Sequence, residues 1–205
     1  MSERKGRKKT AWLDVDTQRD FMVPEGALYV RGARAIARDI RRLVAHAARS
    51  GIQVFSTTDA HTPDDPEFDD FPPHCVKGTW GQEKIPGTIL RNRIIVPVEP
   101  KLSQQGIERT VSYDQVILEK VHYDVFTSPN AEAVVRASGA RRFVVFGVAT
   151  DFCVRGAVLT LRKMDYPVTV VEDVIRGVDR QATDEALDEM RQAGARFKTV
   201  DQVLG

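Results

Sequence analysis

Apolar, β-branched runs alternate along this chain with segments whose apolar positions recur every three or four residues, the pattern of β–α–β units. Ala11 to Asp16 reads as a first strand. From Ala33 to Arg49, residues Ile36, Ile40, Leu43, Val44 and Ala47 fall on one helical face, and Gly51 closes the segment. Further strands are predicted over Gln53–Thr58, Ile94–Pro97, Gln115–Glu119, Arg142–Gly147, Pro167–Val171 and Phe197–Val200. Helices are predicted over Ala131–Ser138, from Cys153 onward, and over Arg180–Gln192, where Ala186, Leu187 and Met190 share a face. Together these elements predict a doubly wound, three-layer α/β/α fold around a central, mainly parallel sheet.

Between Asp59 and Gly87 the pattern lapses into a stretch rich in Pro, Gly and Asp. A structureless excursion of that length inside a compact domain is usually functional or disordered. With 205 residues, one domain over 11–205 is expected, preceded by a basic, solvated tail at residues 1–10. The net charge of +1 gives no reason to expect an anionic polymer as partner, so nucleic acid is not predicted. The basic N-terminal run has no apolar stretch behind it, and nothing reads as a secretory signal or a membrane span. Only two cysteines are present, Cys75 and Cys153, which argues for a reducing, cytoplasmic setting rather than a disulfide framework.

Three of the predicted strands deliver chemistry at their carboxyl ends. The first ends in Asp16, the strand Val116-Ile117-Leu118 runs into Glu119-Lys120, and Phe143-Val144-Val145-Phe146 leads through Gly147 to Cys153 at a helix start. In a parallel sheet such groups collect at one edge, so Asp16, Lys120 and Cys153 are expected to meet there. A thiol in the first turn of a helix is expected to have its thiolate favoured by the N-terminal dipole. The excursion adds Asp59 and His61, two apart and so projecting to one side of an extended segment, and His74, presented on the stiff backbone of Pro72-Pro73. Carboxylate and imidazole donors of this kind suit zinc, iron(II) or manganese rather than copper(I). Asp64, Asp65, Glu67, Asp69 and Asp70 are all candidates for a further donor. His46, within a helical stretch, and Cys75 are read as packed residues, and His122 is given no role.

Five ordered blocks, Asp-Thr-Gln-Arg-Asp-Phe (16–21), Asp-Ala-His (59–61), Phe-Pro-Pro-His-Cys (71–75), Glu-Lys (119–120) and Gly-Val-Ala-Thr-Asp-Phe-Cys-Val (147–154), resemble those of the isochorismatase-like cysteine hydrolases, most of all the nicotinamidase (pyrazinamidase) branch. That resemblance implies an Asp16, Lys120, Cys153 triad that opens a carboxamide through a thioester, nicotinamide to nicotinate and ammonia, in NAD salvage. It implies an oxyanion hole of the Ala149 and Cys153 backbone N–H groups, with a cis peptide bond before Ala149. It selects Glu67 as the fourth ligand beside Asp59, His61 and His74 for one divalent metal ion, zinc foremost, to which the pyridine nitrogen binds. Phe21 and Phe71 are expected to sandwich the ring and Tyr123 to close the pocket, whereas Phe126 is read as core. The expected partner is thus a small carboxamide, with homo-oligomer formation left open. Two rival readings remain: a metal-independent amidohydrolase acting on a carbamoyl or maleamate-type substrate, and a non-catalytic metal-binding module on the same fold.

Overall fold

The computed structural model describes residues 10–205, so the basic N-terminal segment lies outside the described residues, and Thr10 already belongs to the first strand. One sheet of seven strands has the order β3-β4-β2-β1-β5-β6-β7. Its members are β1 (Thr10–Val15), β2 (Val54–Asp59), β3 (Arg93–Val96), β4 (Gln115–Lys120), β5 (Arg142–Val148), β6 (Val168–Arg176) and β7 (Arg196–Lys198), and every ladder between them is parallel. The helices between them are α1 (Arg19–Met22), α2 (Ala33–Ser50), α3 (Gln104–Thr110), α4 (Ala131–Ala137), α5 (Arg155–Lys163), α6 (Arg180–Gln192) and α7 (Val200–Leu204). None of the described helices is long and apolar enough to cross a membrane.

Both faces of the sheet are buried, which is why its strands read as near-continuous apolar runs. The two faces divide at period two. Leu13 and Val15 of β1 and Phe143 and Val145 of β5 join one core with Val134, Val158 and Met190 of the covering helices. Trp12, Val144, Phe146 and Val148 join the other, built on Ile36, Ile40, Leu43 and Val44 of α2. His46 stacks flat on Trp12, with ring centroids 5.7 Å apart, as a packed residue.

Two differences from the sequence reading sit at element ends. The strand expected to stop at Val171 continues to Arg176 after a register shift opposite Val145 and Gly147, the exposed Glu172 and Asp173 masking the buried Val174 and Ile175. Val200, expected to end a strand, instead begins α7, because the Thr199 side chain and Gln202 form a reciprocal cap. The helices α1 and α3 were not foreseen.

Gly147 occupies φ +125°, where a β-carbon would overlap the Val15 carbonyl oxygen of the adjacent strand. Steric overlap with backbone adds to the dihedral strain, and neither can be relieved by turning a side chain. Gly147→Ala is therefore expected to lower the unfolding free energy by about 3 kcal/mol. Urea denaturation would measure it, and a loss under about 0.5 kcal/mol, the range of ordinary surface changes, would contradict this account.

Candidate active site

The centre assembles at the carboxyl edge of the four neighbouring strands β4, β2, β1 and β5. At the end of β1 the backbone of Asp16 turns into the left-handed region, φ +46°, which takes the chain out of the sheet. Thr57 holds that turn: its Oγ1 accepts from the Asp16 N–H at 3.1 Å and donates to Asp16 Oδ1 at 2.6 Å. Lys120 ends β4 opposite Asp59, the last residue of β2. Cys153 lies not in the first turn of an α-helix but in a π-helical turn, Thr150–Val154, that precedes α5. The Val148–Ala149 peptide bond before this turn is cis.

Lys120 is the hub of the cluster. Its Nζ lies 2.9 Å from Asp16 Oδ2 and 3.4 Å from Cys153 Sγ, and it donates to Asp59 Oδ1. Burial works against the ammonium, but the carboxylates of Asp16 and Asp59 outweigh it and hold its pKa well above that of ordinary lysine. The Cys153 thiol is pushed well above its usual range, chiefly by burial, with Lys120 pulling the other way and Asp16 reinforcing the shift. The expected placement in the first turn of an α-helix is thus corrected, and burial shifts the thiol in the direction opposite to the one the helix dipole was expected to give. Asp59 is pushed up to about 6, by burial first, with Lys120 opposing.

Beside this cluster Asp59, His61 and His74 are all buried, with donor atoms within 4.8 Å of one another. Asp59 divides its oxygens, Oδ1 to Lys120 and Oδ2 toward His61 Nε2 at 3.9 Å. Glu67 brings Oε1 to 3.8 Å from His74 Nε2. These residues fit a divalent cation on two observations. His61 Nε2 is fully buried without a hydrogen-bond partner. His74 Nδ1 lies 2.8 Å from the Pro72 carbonyl, so this nitrogen must carry the proton and Nε2 is left with a free lone pair. Burial lowers the His74 pKa, which keeps the imidazole neutral as a ligand must be. Burial, then the charge of Asp59, raises that of Glu67.

Of the open acidic candidates, Asp65 takes a supporting position. Its Oδ1 accepts from the Glu67 N–H at 3.0 Å, opening the 3-10 turn Pro66–Asp69 that presents Glu67, and its Oδ2 lies 3.0 Å from His61 Nδ1.

The adjoining cavity, of about 50 Å³, is lined by Phe21, Phe71, Tyr123, Asp59, Glu67, His74 and Cys153 among others. For comparison, an apolar cavity of about 150 Å³ holds benzene. Tyr123 and Val178, 41% and 52% exposed, stand at the mouth of the adjoining cavity. Phe126 packs against the core, as expected, and His122 is exposed.

Sequence reasoning missed Phe152, which packs edge-on against Tyr123 at 5.1 Å and Phe71 at 6.1 Å. It also missed Val178, whose N–H and that of Asp179 are both held by the Asp151 carboxylate. The Asp151 position in the Gly147–Val154 block was visible, but its partner lies across the fold. Buried Asp20 accepts from the Cys75 N–H at 2.7 Å and so ties the His74-Cys75 strap to α1, which explains Cys75 as a packed residue.

The isochorismatase domain model matches residues 10–97 and 92–202. The nicotinamidase/pyrazinamidase of Mycobacterium tuberculosis is 31% identical over 91% of this chain and 97% of its own length. A probable inactive nicotinamidase of Arabidopsis thaliana is 24% identical over 95% and 94%. Among solved structures, the zinc complex of Pyrococcus horikoshii pyrazinamidase aligns with a TM-score of 0.76 at 26% identity, covering 93% of this chain and 99% of that one. The N-carbamoylsarcosine amidase of Thermoplasma acidophilum aligns with a TM-score of 0.73 at 28% identity, covering 96% and 99%.

Proposed function

Because the chain belongs to the isochorismatase family of hydrolases, we propose that it is a metal-containing nicotinamidase, hydrolysing the carboxamide of a neutral heteroaromatic ring to a carboxylate and ammonia. One observation carries this reading: Cys153 of the Lys120-centred cluster and Asp59, His74 and Glu67 of the donor set line one apolar cavity whose described lining holds no lysine or arginine. A carbamoyl amino acid or maleamate brings a carboxylate, and the described lining holds no lysine or arginine to pair with it. An uncharged ring meets no such cost.

Asp16 accepts the Cys153 proton as Sγ attacks the carboxamide carbon, and Lys120, 3.4 Å from the sulfur, offsets the charge that develops. Asp16 returns the proton to the departing ammonia, leaving a thioester. Water then attacks with Asp16 again as base, and Cys153 leaves as the thiol. The Ala149 and Cys153 N–H groups are assigned to the oxyanion, each worth about 10²–10³ in rate. Asp59, His61, His74 and Glu67 would hold a divalent ion, zinc foremost, which when bound would supply a Lewis-acidic contact for the ring nitrogen. Phe21 and Phe71 hold the ring faces. The nicotinate so formed feeds NAD salvage, and the two unpaired thiols support a reducing, cytoplasmic setting.

Ammonia release from nicotinamide, maleamate and N-carbamoylsarcosine, with and without a chelator, tests this. Nicotinamide is expected to be turned over fastest and to lose at least about tenfold in kcat/KM on chelation, one step of 1.4 kcal/mol. A carboxylate-bearing amide in first place, indifferent to chelation, would overturn the proposal.

A further inference from the structure

The ladder between β1 and β2 ends early, at Asp14 opposite Ser56, because the chain leaves the sheet at Asp16. Yet β2 runs on to Asp59, paired there only with β4. On the side that β1 has vacated, the peptide groups flanking Asp59 need other partners, since Asp59 is 4% exposed and an unpaired buried N–H or C=O is costly.

The side chain of Gln18 supplies them. Its Oε1 accepts from the Asp59 N–H at 2.7 Å, and its Nε2 donates to the Asp59 carbonyl at 2.9 Å and to the Gln82 carbonyl at 3.0 Å. Only this orientation of the amide matches one donor and two carbonyl acceptors, so its assignment is fixed by the network. A primary carboxamide has the same acceptor and donor as a peptide group, and here it replaces the missing strand. Gln82 adds a contact to the same carbonyl at 3.3 Å, while the Ala60 N–H donates to Lys120 O at 2.9 Å on the other side.

We infer that Gln18, fully buried and outside the set of groups that touch substrate or metal, is a positioning residue that fixes the backbone of Asp59 so that its carboxylate faces Lys120 and the two histidines at once. The inference rests on the proposed metal site. With the amide removed, Asp59 is free to rotate toward Lys120 alone, and the donor set loses one of its two carboxylates, leaving Glu67.

The test uses the full chain, stripped of metal and titrated with cobalt(II) against a competing chelator, well below the melting temperature of each variant. Gln18→Met keeps the length and removes all three hydrogen bonds. Gln18→Glu keeps the acceptor for the Asp59 N–H but sets an oxygen against the Asp59 and Gln82 carbonyls. Both are expected to bind cobalt about 10–100-fold more weakly than the parent, the usual cost of removing a group that orients a ligand. A merely structural role would lower the melting temperature and leave that affinity unmoved. Cobalt affinity equal to the parent's in either folded variant overturns the inference alone, and if Gln18→Met fails to fold, Gln18→Glu decides it. A parent that takes up no cobalt overturns the inference and the metal half of the proposed function together.

Discussion

Replacing Cys153 by alanine is expected to reduce kcat for nicotinamide by about 10⁴-fold or more, since loss of a covalent nucleophile removes the route itself rather than one contact along it. Metal content and melting temperature should stay near the parent's. The backbone N–H groups of the turn Thr150–Val154 are untouched by the change, and the side chain that is trimmed is small and buried. Ammonia release under saturating amide, with metal analysis on the same preparation, makes the measurement. Residual turnover within about tenfold of the parent would mean that another group attacks the amide, and the reaction scheme built on Sγ would be lost.

Lys120→Met is the second large effect, and it falls on stability as well as on rate. The ammonium sits between Asp16 and Asp59, both buried, and removing it leaves two carboxylates without their counter-charge. Breaking a buried ionic group from one side costs about 3–5 kcal/mol. Urea denaturation should register that loss, alongside a fall in kcat as deep as that of the cysteine variant. Changing Asp16 to Asn in the same chain should restore part of the stability and none of the turnover, because the double change removes one of the two stranded charges. Equal stability of parent and Lys120→Met would show that the carboxylates do not depend on this lysine.

How far the sequence carried depended on whether a feature was periodic or relational. Strands β1, β2, β4 and β5 were legible because each is a short run of buried β-branched or aromatic residues, and α6 was found at Arg180–Gln192 from its spaced apolar positions. The helix α3 was missed because only Ile107 and Thr110 are buried in its seven residues, too few to register a period. The cap that turns Thr199 into a helix start was present in the letters Thr-Val-Asp-Gln and was read as the end of a strand instead. Within the site, Asp16, Lys120 and Cys153 could be brought together because strand ends of a parallel sheet share an edge. Which acid in the excursion faces His74 could not be read from spacing, since the 3-10 turn held by Asp65 sets it. Gln18 was invisible for a related reason: its task exists only because β1 departs before β2 does, and no property of residue 18 announces that.

The four adjacent strands β4, β2, β1 and β5 contribute Lys120, Asp59, Asp16 and, one turn on, Cys153. Slipping any one of them by a single residue would turn its terminal side chain to the opposite face. Turnover therefore works as a gauge of registry across the middle of the molecule. A half-assembled chain has no intermediate level of turnover to display, so recovery of amide hydrolysis during refolding should lag behind the return of helical signal.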